Sequence, residues 1–184
     1  MTKALAAATK IYKIIEVPSS INADEMERDN TKKKLDLENV KGEIEFRNVW
    51  FRYPTRKQDF VLQGLNIKIN PNESVALVGE SGCGKSTFVN LLMRFYDVDS
   101  GEILLDGENI KNINLHCLRK AISLVMQEPI IFNYSILENI LYGKSNATNS
   151  EILANAKSAN ALEFIEKNDI KIEEEDMTAA SLIE

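Results

Sequence analysis

The residues best suited to chemistry run from Gly79 to Thr87, as Gly79-Glu80-Ser81-Gly82-Cys83-Gly84-Lys85-Ser86-Thr87. Gly79 to Ser86 fits G-x-x-x-x-G-K-[ST], a spacing that holds a phosphate chain. Gly79, Gly82 and Gly84 let the loop take backbone angles closed to other residues. Its N–H groups, those of Glu80, Ser81 and Cys83 included, can then approach an anion. Lys85 brings a charge that reaches β- and γ-phosphates, and Ser86 a hydroxyl that ligates Mg²⁺. Thr87 adds a donor for the phosphates nearer the sugar. A glycine-rich turn between strand and helix would account for the glycines, but not for Lys85-Ser86-Thr87 at a helix start.

Such a loop needs a strand before it and a helix behind it. Val75 to Val78 is a short apolar run with β-branched residues, which predicts a buried parallel strand. After the loop, Phe88, Leu91, Leu92 and Phe95 share one face at helical spacing. That helix aims its positive N-terminal end at the loop. Further along, Ile122 to Met126 reads as another apolar strand, with Gln127-Glu128-Pro129 at its end.

Upstream, the spacing of Ala4, Leu5, Ala8, Ile11, Tyr12 and Ile15 predicts a helix over 3–16, stopped by Pro18. It is either a surface helix packed on the domain or a connector from an upstream part. Residues 19–41 are polar, without periodicity, and read as a flexible linker. From Gly42 the pattern turns to strand. Ile44 and Phe46 alternate, then a shift of phase, read as a bulge, puts Val49, Phe51 and Tyr53 in step. Leu65 to Ile69 and Glu102 to Leu105 are further strands, with Asp106-Gly107 a turn. Asn112 to Lys120 reads as a short helix. Ser135 with Glu138 forms a capping box for a helix to Leu141, and Thr148 or Asn149 caps the next. Ala161 to Lys167 is the last helix.

The 184 residues carry a formal net charge of −6. An acidic chain with no basic stripe argues against nucleic acid as a partner. Its two cysteines, Cys83 and Cys117, make neither a disulfide framework nor a metal site, which fits a reducing, cytosolic setting. Cys83 reads as a small packing residue of the loop. No apolar run reaches the roughly 18–20 residues needed to span a membrane, so the chain alone is expected to be soluble.

Several stretches together resemble one family. Gly42-Glu43-Ile44-Glu45-Phe46-Arg47-Asn48-Val49, Phe51-Arg52-Tyr53-Pro54, the Gly79–Thr87 loop and Ser100 to Gly107 occur in order, with Leu118-Arg119 after them. Val125-Met126-Gln127-Glu128-Pro129 and Glu138-Asn139-Ile140-Leu141-Tyr142-Gly143 follow. Over roughly residues 4–168 the chain is similar to the nucleotide-binding domain of ATP-binding cassette (ABC) transporters, of the multidrug-exporter, P-glycoprotein-like type.

The resemblance implies an α/β phosphate-loop NTPase core with an N-terminal antiparallel β subdomain, and ATP with Mg²⁺ as ligands. It makes Tyr53 a platform for adenine, a use that suits an aromatic face. Gln127 becomes a contact for Mg²⁺ and the attacking water. Taken alone, Tyr53 would be a core or rim residue and Gln127 a loop residue. Asp106, at the end of an apolar run, mimics a Mg²⁺-supporting Asp, but Gly107 after it marks a turn. Glu128 and His116 have no role in the resemblance. The implied partners are an exporter's transmembrane domain and a second nucleotide-binding domain in a head-to-tail dimer, at the cytosolic face of a membrane. The transported substrate is not implied.

The sequence departs from the family in what it lacks. Gly143 is its last glycine, so no Leu-Ser-Gly-Gly-Gln signature follows, and no apolar strand ends in Asp-Glu. The switch histidine is also missing, which leads to the expectation of a fragment. Its parts are a connector helix and linker over 1–41, a partial nucleotide-binding domain over 42–168 and an acidic divergent tail over 169–184. Two functional readings stand. One is the ATP-binding part of an exporter that couples ATP hydrolysis to transport. The other is a truncated, catalytically incompetent nucleotide-binding or interaction module. Whether the chain is an enzyme by itself stays open at this point.

Overall fold

Alternating apolar residues build the sheet that carries the site. In β1 (Ile44–Phe51), Phe46, Val49 and Phe51 are buried, while Arg47 and Asn48 are exposed. The expected phase shift is present. The pairing of β1 with β2 (Leu62–Ile69) runs Phe46 opposite Ile67, then Val49 opposite Leu65, with a register shift between them. Asn48 takes a left-handed φ of 45° at that bulge. The extra residue returns Val49 and Phe51 to the inner face, which strict alternation from Phe46 would have denied them.

On its other side β1 pairs with β3 (Ser100–Leu105), and β3 with the short β4 (Glu108–Asn109). The sheet order is β2-β1-β3-β4, antiparallel throughout. The computed structural model describes residues 2–17, 21 and 31–167. Pro18, most of the linker's first half and the acidic tail expected at 169–184 fall outside them.

α1 (Thr2–Ile15) precedes the sheet, whose inner face is covered by two helices, α2 (Lys85–Leu92) after the loop and α3 (Leu115–Ala121) after β4. Phe88, Leu91 and Leu92 of α2, with Leu115 and Leu118 of α3, join Phe46, Val49, Phe51, Ile103 and Leu105 in one core. Phe46 and Phe88 stack with centroids 4.2 Å apart. Each such side chain stabilises by about 1.5–3 kcal/mol when fully buried. α3 starts later than the pattern predicted because Asn114 is its cap, accepting from the N–H groups of His116 and Cys117. Ile113 before it is fully buried.

The chain divides into two compact units, Met1–Leu124 and Val125–Glu184. The second holds α4 (Ile136–Leu141), α5 (Asn149–Ser158) and α6 (Leu162–Lys167). The predicted capping box of Ser135 with Glu138 forms, and of the two candidate caps for the next helix it is Thr148 that caps, in a box with Glu151. Each box satisfies orphan N–H groups at a helix start.

Three expectations need correction. Val75–Val78 and Ile122–Met126 are not strands; neither enters a ladder among the described residues. A strand is held by hydrogen bonds to neighbours, and here none lie beside these segments. Val78 and Val125 are each 93% exposed as a result. The final part of the expected flexible linker is stitched down. Lys33 donates its N–H to the Asn112 carbonyl and accepts from Asn114 N–H, both at 2.9 Å. Its Nζ lies 2.8 Å from Glu108, and Leu35 packs on the core. Finally, the alternative that α1 is packed on the domain is not met over its last turns. Ile11, Tyr12, Ile14 and Ile15 there are 57–75% exposed.

Candidate nucleotide site

The phosphate loop is shaped where it meets α2. Gly84 is the N-cap of α2 at φ 96°, and no side chain caps the helix. A Cβ there would meet Leu62 Cδ2 at 3.0 Å and Val61 Cγ1 at 3.4 Å. Glycine thus lets the loop close down on the end of β2 in a left-handed conformation. The N–H groups of Lys85, Ser86 and Thr87 have no acceptor among the described residues, and the first helical bond runs from Phe88 N–H to Gly84 O. An uncapped helix start with spare N–H groups is an anion site.

Lys85 is already gathered into the loop. Its ammonium donates to the carbonyls of Gly79 (2.8 Å) and Glu80 (2.6 Å) and reaches Cys83 Sγ at 3.3 Å. All its donors are thus spent on the loop itself. A phosphate would exchange neutral carbonyl partners for charged oxygens, which make stronger hydrogen bonds. Cys83 Sγ fills the space over Gly79, where a Cβ would fall 2.7 Å from the sulfur. Ser86 is exposed, and none of the described residues bonds its hydroxyl.

These features fit the phosphates of a nucleotide. For Mg²⁺, no group of three or more His, Cys, Asp or Glu able to hold a metal occurs among the described residues. Ser86 Oγ would then be this unit's one ligand. The rest would come from phosphate oxygens and water, the usual manner of Mg²⁺.

Two residues beyond β1, Tyr53 is brought to α2. Its hydroxyl lies 3.0 Å from Thr87 Oγ1 and accepts from Asn90 Nδ2 at 3.3 Å. The ring meets Phe51 and Tyr96 edge-on at 5.0 and 5.2 Å. A cleft of about 480 Å³ opens beside it, lined by Arg52, Lys57 and Asp99 among others. Tyr53 and the loop therefore belong to one constellation. Gln127 is an exposed residue at a bend of the second unit, and is described there by itself.

Asp106 is structural, as its turn context predicted. It sits at φ 51°, and its carboxylate accepts the N–H groups of Lys41 and Glu43, each at 2.8 Å. Two residues that pattern reading missed hold the far end of α2. Arg94 is 4% exposed, pairs with Asp97 at 3.0 Å and donates to the Ile110 and Lys111 carbonyls. Arg119 donates to the carbonyls of Met93 and Arg94, and burial followed by the nearby Arg94 charge lowers its pKa. Asn90 was missed as well. Its only signal was a position three residues after Thr87, on the same helical face.

A family model described as ABC transporter matches residues 62–181. Multidrug resistance protein 1 of Entamoeba histolytica is 48% identical over 166 residues, which are 89% of this chain and 12% of the relative. ABC transporter B family member 13 of Arabidopsis thaliana is 43% identical over 95% of this chain and 13% of its own length. ABC transporter B family member 2 of Dictyostelium discoideum is 47% identical over 86% and 11%. The chain thus spans about an eighth of the length of the curated relatives it matches. With a family model over residues 62–181 and relatives 43–48% identical over most of its length, this chain belongs to the ABC transporter family.

Proposed function

We propose that this chain is the part of a multidrug-type ABC exporter that binds ATP with Mg²⁺ at the membrane's cytosolic face. The observation that carries the reading is the open N-terminus of α2. There the Lys85, Ser86 and Thr87 N–H groups lack acceptors among the described residues, and the Lys85 ammonium is drawn into the loop. In this reading Gly79, Glu80, Ser81, Gly82, Cys83 and Gly84 offer backbone donors to the phosphates. Lys85 binds the terminal phosphates, Ser86 ligates Mg²⁺ and Tyr53 supports the base. Gln127 contacts the ion and water. Bound Mg²⁺ would supply charge neutralisation on the phosphate oxygens. The partners are a transmembrane domain, with which the exposed end of α1 agrees as a connector, and a second nucleotide-binding domain.

The second reading, a module that binds without turning over, has its own support. Among the described residues Val75–Val78 and Ile122–Met126 are unladdered, and no strand ends in an Asp-Glu pair that could polarise water. A positioned general base contributes about 10²–10⁴ in rate. The two readings agree on binding and differ on turnover. The test is titration of ATP·Mg²⁺ into the chain and into Lys85→Ala, with phosphate release followed in the same samples. Loss of one charge-assisted contact should weaken binding roughly 10- to 100-fold, with turnover near background in both. Binding indifferent to Lys85→Ala refutes the site. Robust hydrolysis by the wild-type chain refutes the second reading.

A further inference from the structure

Tyr53 enters the family resemblance through its ring, yet its hydroxyl is the better-anchored part. It lies between Asn90 Nδ2 at 3.3 Å and Thr87 Oγ1 at 3.0 Å. Hydrogen-bond chemistry fixes the first step of this short chain. The Asn90 amide nitrogen only donates, so the Tyr53 oxygen accepts there. Between Tyr53 and Thr87 either hydroxyl can donate, and the order that continues from Asn90 has Tyr53 donate to Thr87 Oγ1. In that order Thr87 accepts from Tyr53 and keeps its own proton for another acceptor. Thr87 is 4% exposed, and among the described residues its hydroxyl has no partner besides Tyr53. It stands in the first turn of α2, whose N–H groups also lack acceptors. Every unspent donor at this end thus belongs to one anion-seeking group.

We propose that Asn90, Tyr53 and Thr87 form a directed relay that turns the Thr87 hydroxyl proton toward a nucleotide phosphate. Tyr53 is then a positioning residue for the phosphates as well as a platform for the base, and Asn90 sets the direction. Successive hydrogen bonds polarise one another, so the Thr87 donor is stronger for being at the end of the chain. The inference rests on the phosphate-loop reading above.

Inorganic triphosphate with Mg²⁺ separates the two roles of Tyr53, because it has no base. Binding of triphosphate and of ATP would be measured by calorimetry on the full 184-residue chain. The variants are Tyr53→Phe, Thr87→Val, their double mutant, Asn90→Ala and Lys85→Ala. Tyr53→Phe keeps the ring and should weaken triphosphate roughly three- to tenfold, as should Thr87→Val. The double mutant should lose no more than the worse single, since both break one relay. Asn90→Ala should weaken triphosphate about twofold by freeing the direction. It lies at the edge of the cluster and keeps the test available if Tyr53→Phe unfolds. The relay is overturned if Tyr53→Phe or Asn90→Ala weakens ATP while triphosphate binds as in wild type. Losses that multiply in the double mutant overturn it too. If Lys85→Ala leaves triphosphate binding intact, the phosphate-loop reading itself has failed, whatever the relay variants do.

Discussion

Gly101→Ala should disrupt the bulge that places Tyr53, by an amount that Gly107→Ala calibrates. The two glycines have nearly the same left-handed φ, 81° and 79°. Around Gly107 an added Cβ meets nothing within 4 Å. At Gly101 it would fall 2.5 Å from the Arg47 carbonyl oxygen and closer still to that of Asn48, the backbone of the bulge. Alanine at Gly107 therefore costs only the left-handed conformation, about 1 kcal/mol. Alanine at Gly101 costs that and a forced retreat of β1 by about 0.5 Å or more. Overpacking of this kind adds about 1–3 kcal/mol. The reporter is built in: Trp50, the single tryptophan, pairs with Ser100 and donates its indole N–H to Asn48 Oδ1 at 3.1 Å. Urea unfolding followed by Trp50 fluorescence should place Gly101→Ala about 1–3 kcal/mol below Gly107→Ala. Curves that agree within about 0.5 kcal/mol would refute the claim that Gly101 is required by the bulge.

Other expectations follow from the helix ends and from exposed surface. Ser135→Ala and Thr148→Ala should each cost about 1 kcal/mol of helix stability, read by far-UV circular dichroism on melting. The Ser135 hydroxyl and N–H hold the Glu138 carboxyl below its ordinary range, and Lys144 with the Thr148 N–H does so for Glu151. A depressed carboxyl stabilises fully above the unfolded value, about 4.3. That contribution is lost as pH falls through the lower folded value. Glu138→Gln with Glu151→Gln should flatten this acid limb in a pH-melt series, and an unchanged limb would refute the box assignment. Arg119→Met should leave the Met93 and Arg94 carbonyls without their donor and cost about 1–3 kcal/mol in the urea assay. Val78→Lys should change stability by less than about 0.5 kcal/mol and lower self-association in light scattering, since Val78 is 93% exposed.

What was legible in the sequence is what adjacent residues decide. The phase slip between Phe46 and Val49 announced the bulge, because only an inserted residue returns both to one face. Ser135–Glu138 announced its helix, because the box closes within four residues, while at the next helix the choice between Thr148 and Asn149 was settled by the box that Thr148 makes with Glu151. Asp106-Gly107 announced a turn, and the structure adds why Asp is there: its carboxylate binds the N–H groups of Lys41 and Glu43, more than sixty residues upstream. That second partner is not encoded near Asp106. The same holds for Arg119, and for Arg94 apart from its neighbour Asp97, since their other acceptors are carbonyls, groups every residue carries. Lys33 was hidden for the same reason, since a single bridge to Ile113 leaves no pattern in a polar run.

Val75–Val78 marks the limit of that logic and bears on the site. Its apolar run has the composition of a parallel strand, yet composition supplies no partner, and a parallel ladder forms only between segments distant in sequence. The loop after it nevertheless has its glycine angles, its gathered lysine and its open helix start. Its seat must therefore come from elsewhere. Phe88 stacks on Phe46, Gly84 closes on Leu62 and Val61, and Thr87 bonds to Tyr53. Each of those partners lies in β1, in β2 or beside them. The antiparallel sheet thus holds the phosphate loop from the helix side, independently of any ladder on Val75–Val78. Pairing that segment would rigidify the approach to Gly79, while the donors that meet a phosphate already stand on the antiparallel sheet.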